Sequence, residues 1–431
     1  MFPKDTYVKR RNLLKAQVPS GLILLPGNDE SPINFANNAY PFRQDSTFLY
    51  FFGLDLPGLA AIIDVDEGTE CVFGTDPTVE EIVWTGPLPL LRDRCEQAGV
   101  THTATPDKLE AILNEAVQKN RTVHVLPQDR PENVLKIWRW LGIAPGVLHK
   151  YLSEPLIRAV VQQRSVKSAE EVEQIEAALA ISSEMHTTAM RLTRPGAVER
   201  EIAAAINAIA MSHGVQLAFP TIFSRHGETL HNPCYENTLK TGDIVVHDSG
   251  AESPLHYAGD ITRTIPVSGR FSPRQKEIYA IVQTAQERAV ASAKPGVEWR
   301  EVHRLAAVSL MQGLRELGVV KGDPQEAVAA GAHTLFFPCG LGHMIGLDVH
   351  DMEGLGEDYV GYTETIKRNP AFGWRSLRLA KPVEPGYAVT VEPGIYFIPH
   401  LIDRWKAERR CEPFIDYDRL EAWRHSNGVR I

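Results

Sequence analysis

Ile244-Val-Val-His-Asp248-Ser-Gly250 and Tyr257-Ala-Gly-Asp260-Ile-Thr-Arg-Thr264 are two short, partly apolar runs, each carrying an aspartate, and the aspartates are twelve residues apart. An aspartate before Ser-Gly is most often a turn residue that hydrogen-bonds its own backbone, so Asp248 alone says little. Asp260 differs. With Thr262 and Thr264 it alternates along one face of a strand, where a carboxylate needs a partner. If the two runs form adjacent strands of a hairpin, the carboxylates converge, and like charges so close call for a cation.

Further along stand Gly340-Leu-Gly-His343-Met-Ile-Gly-Leu-Asp-Val-His350-Asp351 and Thr390-Val-Glu392-Pro-Gly394. Asp, Asp, His and Glu make a carboxylate-rich ligand set with one imidazole, which suits hard divalent cations used for hydrolysis better than a structural zinc. A lone histidine is usually a satisfied core residue, but His350 follows His343 by seven residues. Gly340, Gly342 and Gly346 have the wrong spacing for a dinucleotide fingerprint and no βα context. Glu392 ends Ala388-Val-Thr-Val391, read as a buried strand, where it must pair with a base or bind a metal. Cys234, close to His231, is read as a core residue rather than a nucleophile. No HExxH, GxSxG or Walker loop occurs.

The 431 residues, 43% hydrophobic and 23% charged, are those of an ordinary globular protein with two domains. A net charge of -9 argues against non-specific nucleic-acid binding. No apolar run approaches the roughly 18 residues of a membrane helix, and Gly21-Leu-Ile-Leu-Leu25 is too short for a signal peptide. Five cysteines without CxxC spacing point to a reducing cytoplasm.

Residues 1–160 read as a smaller α/β domain with strands at Leu22–Leu25, Ala60–Val65 and Val123–Leu126 and a helix over Pro106–Gln118. Tyr151–Lys167 reads as a connector. Ser168 and Glu171 form a capping box that opens a helix running to Leu192 before Arg194-Pro-Gly196. Helices follow over Val198–His213, Pro273–Lys294 and Trp299–Leu317. Helices alternating with antiparallel hairpins make residues 161–431 an α+β domain.

The order Asp248, Asp260, His343, Glu392, within GDITRT, GLGHMIGLDVHD and TVEPGIYF, resembles the pita-bread metallopeptidases that cleave Xaa-Pro bonds, aminopeptidase P and prolidase. The resemblance covers nearly the whole chain. Tyr40–Gly53 looks like the amino-terminal domain of aminopeptidase P, while Arg375-Ser-Leu-Arg378 looks more like prolidase. It implies a pita-bread (creatinase/aminopeptidase-like) catalytic domain behind the α/β domain, holding two divalent ions, with manganese the first choice and zinc, cobalt or iron the alternatives. Asp248 would hold one ion, Asp260 would bridge both, and His343 and Glu392 would hold the second. His231 and His350 would contact the substrate and the tetrahedral intermediate, and Arg378 would receive a substrate carboxylate.

The resemblance also implies a final bridging carboxylate directly after Gly-Val-Arg-Ile. Here Gly428-Val-Arg-Ile431 closes the sequence, so the catalytic domain is read as cut short. The leading expectation is an Xaa-Pro aminopeptidase acting on proline-containing peptides. The alternatives are a prolidase that splits Xaa-Pro dipeptides and an inactive pita-bread binding protein. The setting expected is cytoplasmic, with a homo-oligomer (dimer or tetramer) and neither nucleic acid nor membrane as partner.

Overall fold

Leu22–Pro26 is an unbroken apolar run, and it becomes the fully buried strand β1 at the heart of the amino-terminal unit. A computed structural model describes all residues, Met1 to Ile431. Two compact units emerge: Met1–Arg164 with Met352–Tyr359, and Ser165–Asp351 with Val360–Ile431.

In the first unit β1 pairs antiparallel with β2 (Ala60–Asp64) and parallel with β5 (Val123–His124). The strand β3 (Thr69–Phe73) and β4 (His102–Ala104) complete a five-stranded sheet of order β4-β3-β2-β1-β5. Leu22, Leu24, Ile62 and Phe73 pack against Leu109 and Leu113 of the helix Pro106–Gln118 and against Ile137. The expected α/β character holds. The connector does not: Glu154–Ser165 is a twelve-residue helix. Leu156, Ile157, Val160 and Val161 are buried there, at the spacing of an apolar helical face.

The second unit is built on helices and a small antiparallel sheet, β6 (Ile222–Ser224), β7 (Ile244–Ser249) and β8 (Ile261–Pro266), in the order β6-β7-β8. The Ser168–Glu171 capping box opens the 24-residue helix Ala169–Leu192. Met185 and Ala189 of that helix pack with Ile202 and Ile206 of Glu199–Ser212 against Phe223, Val245 and Ile265 of the sheet. A second helical pair, Pro273–Ser292 and Trp299–Glu316, repeats the construction. Arg194-Pro-Gly196 and Lys294-Pro-Gly296 each link one pair, and the amides of Gly196 and Gly296 donate to Leu239 O and Val383 O, both at 2.8 Å. This internal duplication lay outside the short repeat periods considered in the sequence. A two-stranded ribbon, β9 (Gly394–Tyr396) with β10 (Gly428–Arg430), completes the unit.

Candidate metal centre

The hairpin β7–β8 does what the two aspartates required of it. Asp248 stands opposite Thr262, and Ser249 opposite Ile261. The same register resumes at Glu252 and Ala258. Asp260 lies one residue before β8 rather than inside it, yet on the face shared by Thr262 and Asp248.

The other two residues arrive on facing extended segments. Ala388–Val391 is half-buried and forms a single bridge, Val389 with Met344, instead of the buried strand expected. Its backbone is claimed by the loop opposite: Thr390 N donates to His343 O, Glu392 N to Leu341 O, and Ile345 N to Ala388 O. Gly342 makes this approach possible, since a Cβ there would lie 1.9 Å from Thr390 O. Thr390 then serves both sides. Its hydroxyl accepts from His343 N and donates to Glu392 Oε1, each at 3.0 Å.

The result is an imidazole between two carboxylates. His343 Nε2 is 3.3 Å from Asp260 Oδ2 and 3.2 Å from Glu392 Oε1. Its Nδ1 donates to the carbonyl of Met344 at 2.9 Å, which leaves Nε2 turned to the carboxylates as the nitrogen that could ligate an ion. Burial alone would hold the imidazole neutral, but its hydrogen bonds to both carboxylates, and their charges, outweigh that and raise its pKa. The ring's proton thus stands where a cation would sit. One ligand atom from each of Asp260, His343 and Glu392 lies within 4.8 Å of the others, which fits a divalent ion.

Asp248 lines the same cavity but makes its ion pair with Arg430 of β10, and its Oδ1 is buried without a hydrogen-bond partner. Burial pushes this carboxyl upward, and Asp260 and Glu392 add to the shift against the pull of Arg430. An orphaned buried acceptor beside two more carboxylates has the chemistry of a metal ligand. Arg430 itself was not singled out in the sequence. The available signal was an arginine inside the apolar run Val429-Arg430-Ile431, all of it buried.

The cavity, about 460 Å³, is of a size for a small ligand. His231 and His350 both line it, with Phe219, Pro220, Pro233, Tyr235 and Val349 as apolar wall. The ring of His350 sits 4.3 Å from that of His343, at 67°. Burial lowers the pKa of His231, and the charges of Arg430 and Arg378 lower it further. Arg378 does not line the cavity; its charge reaches it. Cys234 is exposed rather than core, and carries no contact with the cluster among its hydrogen bonds.

Residues 173–431 match metallopeptidase family M24, and residues 7–126 match the aminopeptidase P amino-terminal domain. The chain belongs to family M24. The M24 chain is 30% identical over 420 residues to a human Xaa-Pro dipeptidase, covering 95% of this chain and 83% of that protein. It is 32% identical over 455 residues to a probable Xaa-Pro aminopeptidase of Metarhizium acridum, covering 98% and 87%. Among solved structures it is similar to Pseudomonas aeruginosa aminopeptidase PepP, with a TM-score of 0.80 at 28% identity, covering 100% of this chain and 91% of that one. An M24 member with this architecture has the pita-bread domain behind an aminopeptidase P-type domain and is a metallo-exopeptidase.

Proposed function

We propose that the chain hydrolyses the bond between an amino-terminal residue and a following proline. The observation that carries this is His343 held between Asp260 and Glu392 in the wall of a small, otherwise largely apolar cavity. Asp260, His343 and Glu392 would hold one divalent ion, and Asp248 with Asp260 a second, manganese being the first choice. When bound, the ions supply a hydroxide at neutral pH and polarise the scissile carbonyl.

The chain's own residues do the rest. His231, kept neutral by burial and by nearby arginine charge, offers a ring N–H to a developing oxyanion without competing for a proton. His350, which also lines the cavity with its ring 4.3 Å from that of His343, presents a second such donor. A bond before proline is a tertiary amide without an N–H, so a pocket that asks for no such donor suits it. Pro220, Pro233, Tyr235 and Val349 offer the apolar surface on which a pyrrolidine ring packs. Thr390 holds Glu392 and the His343 backbone in register throughout.

A dipeptidase is the second reading, favoured by Arg378, whose charge is felt at His231 and whose fork suits a free carboxylate. Five unpaired cysteines support a reducing, cytoplasmic setting. Exposed Val79, Val83 and Trp84 on the helix Val79–Thr85, which buries no residue, support a homo-oligomer.

Hydrolysis of an Xaa-Pro dipeptide against an Xaa-Pro-Yaa tripeptide, with manganese added and after chelation, tests the proposal. Tripeptide cleavage that needs metal and is lost in Asp260→Ala is the expected result. Preference for the dipeptide selects the second reading, and metal-independent cleavage of either overturns both.

A further inference from the structure

One buried ion pair lies outside the cavity and is used by none of the chemistry above. Lys167 Nζ meets Asp351 Oδ2 at 2.8 Å, and each side chain is only 1% exposed. Neither residue lines the cavity. Burying two charges carries a large desolvation penalty, and an apolar pair of similar size would hold a core together as well or better. A buried pair placed here therefore calls for a reason other than cohesion. The direction it imposes supplies one.

Asp351 ends the loop that His343 begins. Its amide donates to Met344 O at 2.9 Å, closing the loop on itself, and its Oδ1 accepts from Asp348 N at 3.4 Å. Gly346 faces the carboxylate so closely that a Cβ would lie 2.5 Å from Oδ2. Lys167, for its part, has its own amide bound to Gly386 O and immediately precedes the helix cap Ser168. Four residues on, Glu171 Oε1 accepts from the hydroxyl of Tyr257 at 2.9 Å, in the turn that leads to Asp260. Ala258 N donates to Gly346 O at 2.8 Å and ties that turn to the loop.

We infer that Lys167 and Asp351 are positioning residues for the reaction: their ion pair sets the His343–His350 loop against the Asp260 turn from a single anchor at the start of the helix Ala169–Leu192. The anchor has two arms. Lys167 reaches the loop that carries the histidines, and Glu171 reaches the turn that carries the bridging aspartate. A shift in the first arm moves the Asp351 end of the loop, and His350 beside it, while His343 at the other end stays held by Thr390 and Glu392. As geometry of this kind governs the productive approach of substrate, a small displacement is read in turnover.

The inference rests on the peptidase reading for its kinetic arm only. Wild type, Lys167→Met/Asp351→Leu and Lys167→Arg are compared, with Mn²⁺ bound for the kinetics and with diamagnetic Zn²⁺ bound for the imidazole signal. The double variant removes both charges together, so no unpaired ion is left buried and its melting temperature should stay near wild type. Expected are a kcat lower by roughly ten- to a hundredfold, the range found for groups that orient a metal site, with unchanged KM and zinc content. The ¹⁵N-imidazole signal of His350 should be single in wild type and broadened or split in the double variant. Should the double variant not fold, Lys167→Arg keeps the charge with altered reach and carries the same comparison, with a smaller loss. A folded variant with wild-type kcat, or one whose His350 signal is unchanged, overturns the inference. If wild type cleaves no Xaa-Pro bond, the peptidase reading fails on its own, and the His350 signal still decides this one.

Discussion

His350 and Thr390 show how differently two neighbours of the same imidazole can matter. His350 touches the ring of His343 from the cavity side and holds none of the clustered ligand atoms. His350→Ala should therefore lower turnover by about a hundredfold, the worth of one oxyanion donor, while elemental analysis finds wild-type metal. Thr390 is the reverse case, hydrogen-bonded to Glu392 and to the His343 backbone. Thr390→Val should weaken metal affinity about 10–100-fold, read by competition with a chelating dye. Asp260 and Glu392 stood out in the sequence as carboxylates on strand-like runs that need a partner, and Asp248 and His343 only through their company, since each alone has a bland reading; the fold brings all four to one cavity. Thr390 was not, since a threonine in an extended run is ordinary until its hydroxyl is seen between two ligands. Arg430 stayed hidden for a related reason: its partner Asp248 lies in a distant strand, and no local pattern announces a pair of that separation.

At the scale of elements, local signals were read well and non-local ones poorly. The Ser168–Glu171 box opens its helix as expected, with Glu171 N donating to Ser168 Oγ and Ser168 N to Glu171 Oε2. Ser168→Ala should cost about 1 kcal/mol, measured as a lowered midpoint of urea unfolding with an unchanged slope. The helix Pro106–Gln118 follows from its leading proline and apolar spacing. Glu154–Ser165 was missed as a helix although Ser153 caps it, its Oγ accepting from Leu156 N at 3.4 Å, because Arg158, Gln162, Gln163 and Arg164 interrupt its apolar stripe. Ala388–Val391 has the composition of a strand but finds its partner in an irregular, glycine-spaced loop, so only one bridge forms. The likeness of the two Pro-Gly links was not legible because the hydrogen bonds that show it, Gly196 N to Leu239 O and Gly296 N to Val383 O, join segments far apart in the sequence.

For the molecule as a whole, buried histidines set a limit on acid tolerance. His303 and His333 lie in an aromatic cluster with Phe337 and Trp374, and their ring nitrogens have no hydrogen-bond partner. Burial lowers His303 to about 3, helped by His333, and lowers His333 to about 4. Folded values below the unfolded 6.5 mean that the unfolded chain takes up more protons, so stability is whole above pH 6.5 and drains as the pH falls towards 4. Each histidine should cost about 2 kcal/mol by pH 5. Melting temperatures between pH 6.5 and 5 should fall more gently in His303→Gln than in wild type, by the share of one proton. An equal slope would show that the cluster opens to water on heating before it charges.

The pairing of Asp248 with Arg430 spans 182 residues, and Thr264 reaches the carbonyl of Arg430 across 166. Such contacts repay the entropy of closing a long loop only after the intervening chain has found its place. Ion capture should therefore come late in refolding, tracking the slowest phase. Helices seen by far-UV circular dichroism will form first, and a metal-sensing dye will report uptake only afterwards. Metal supplied early should find nothing to bind.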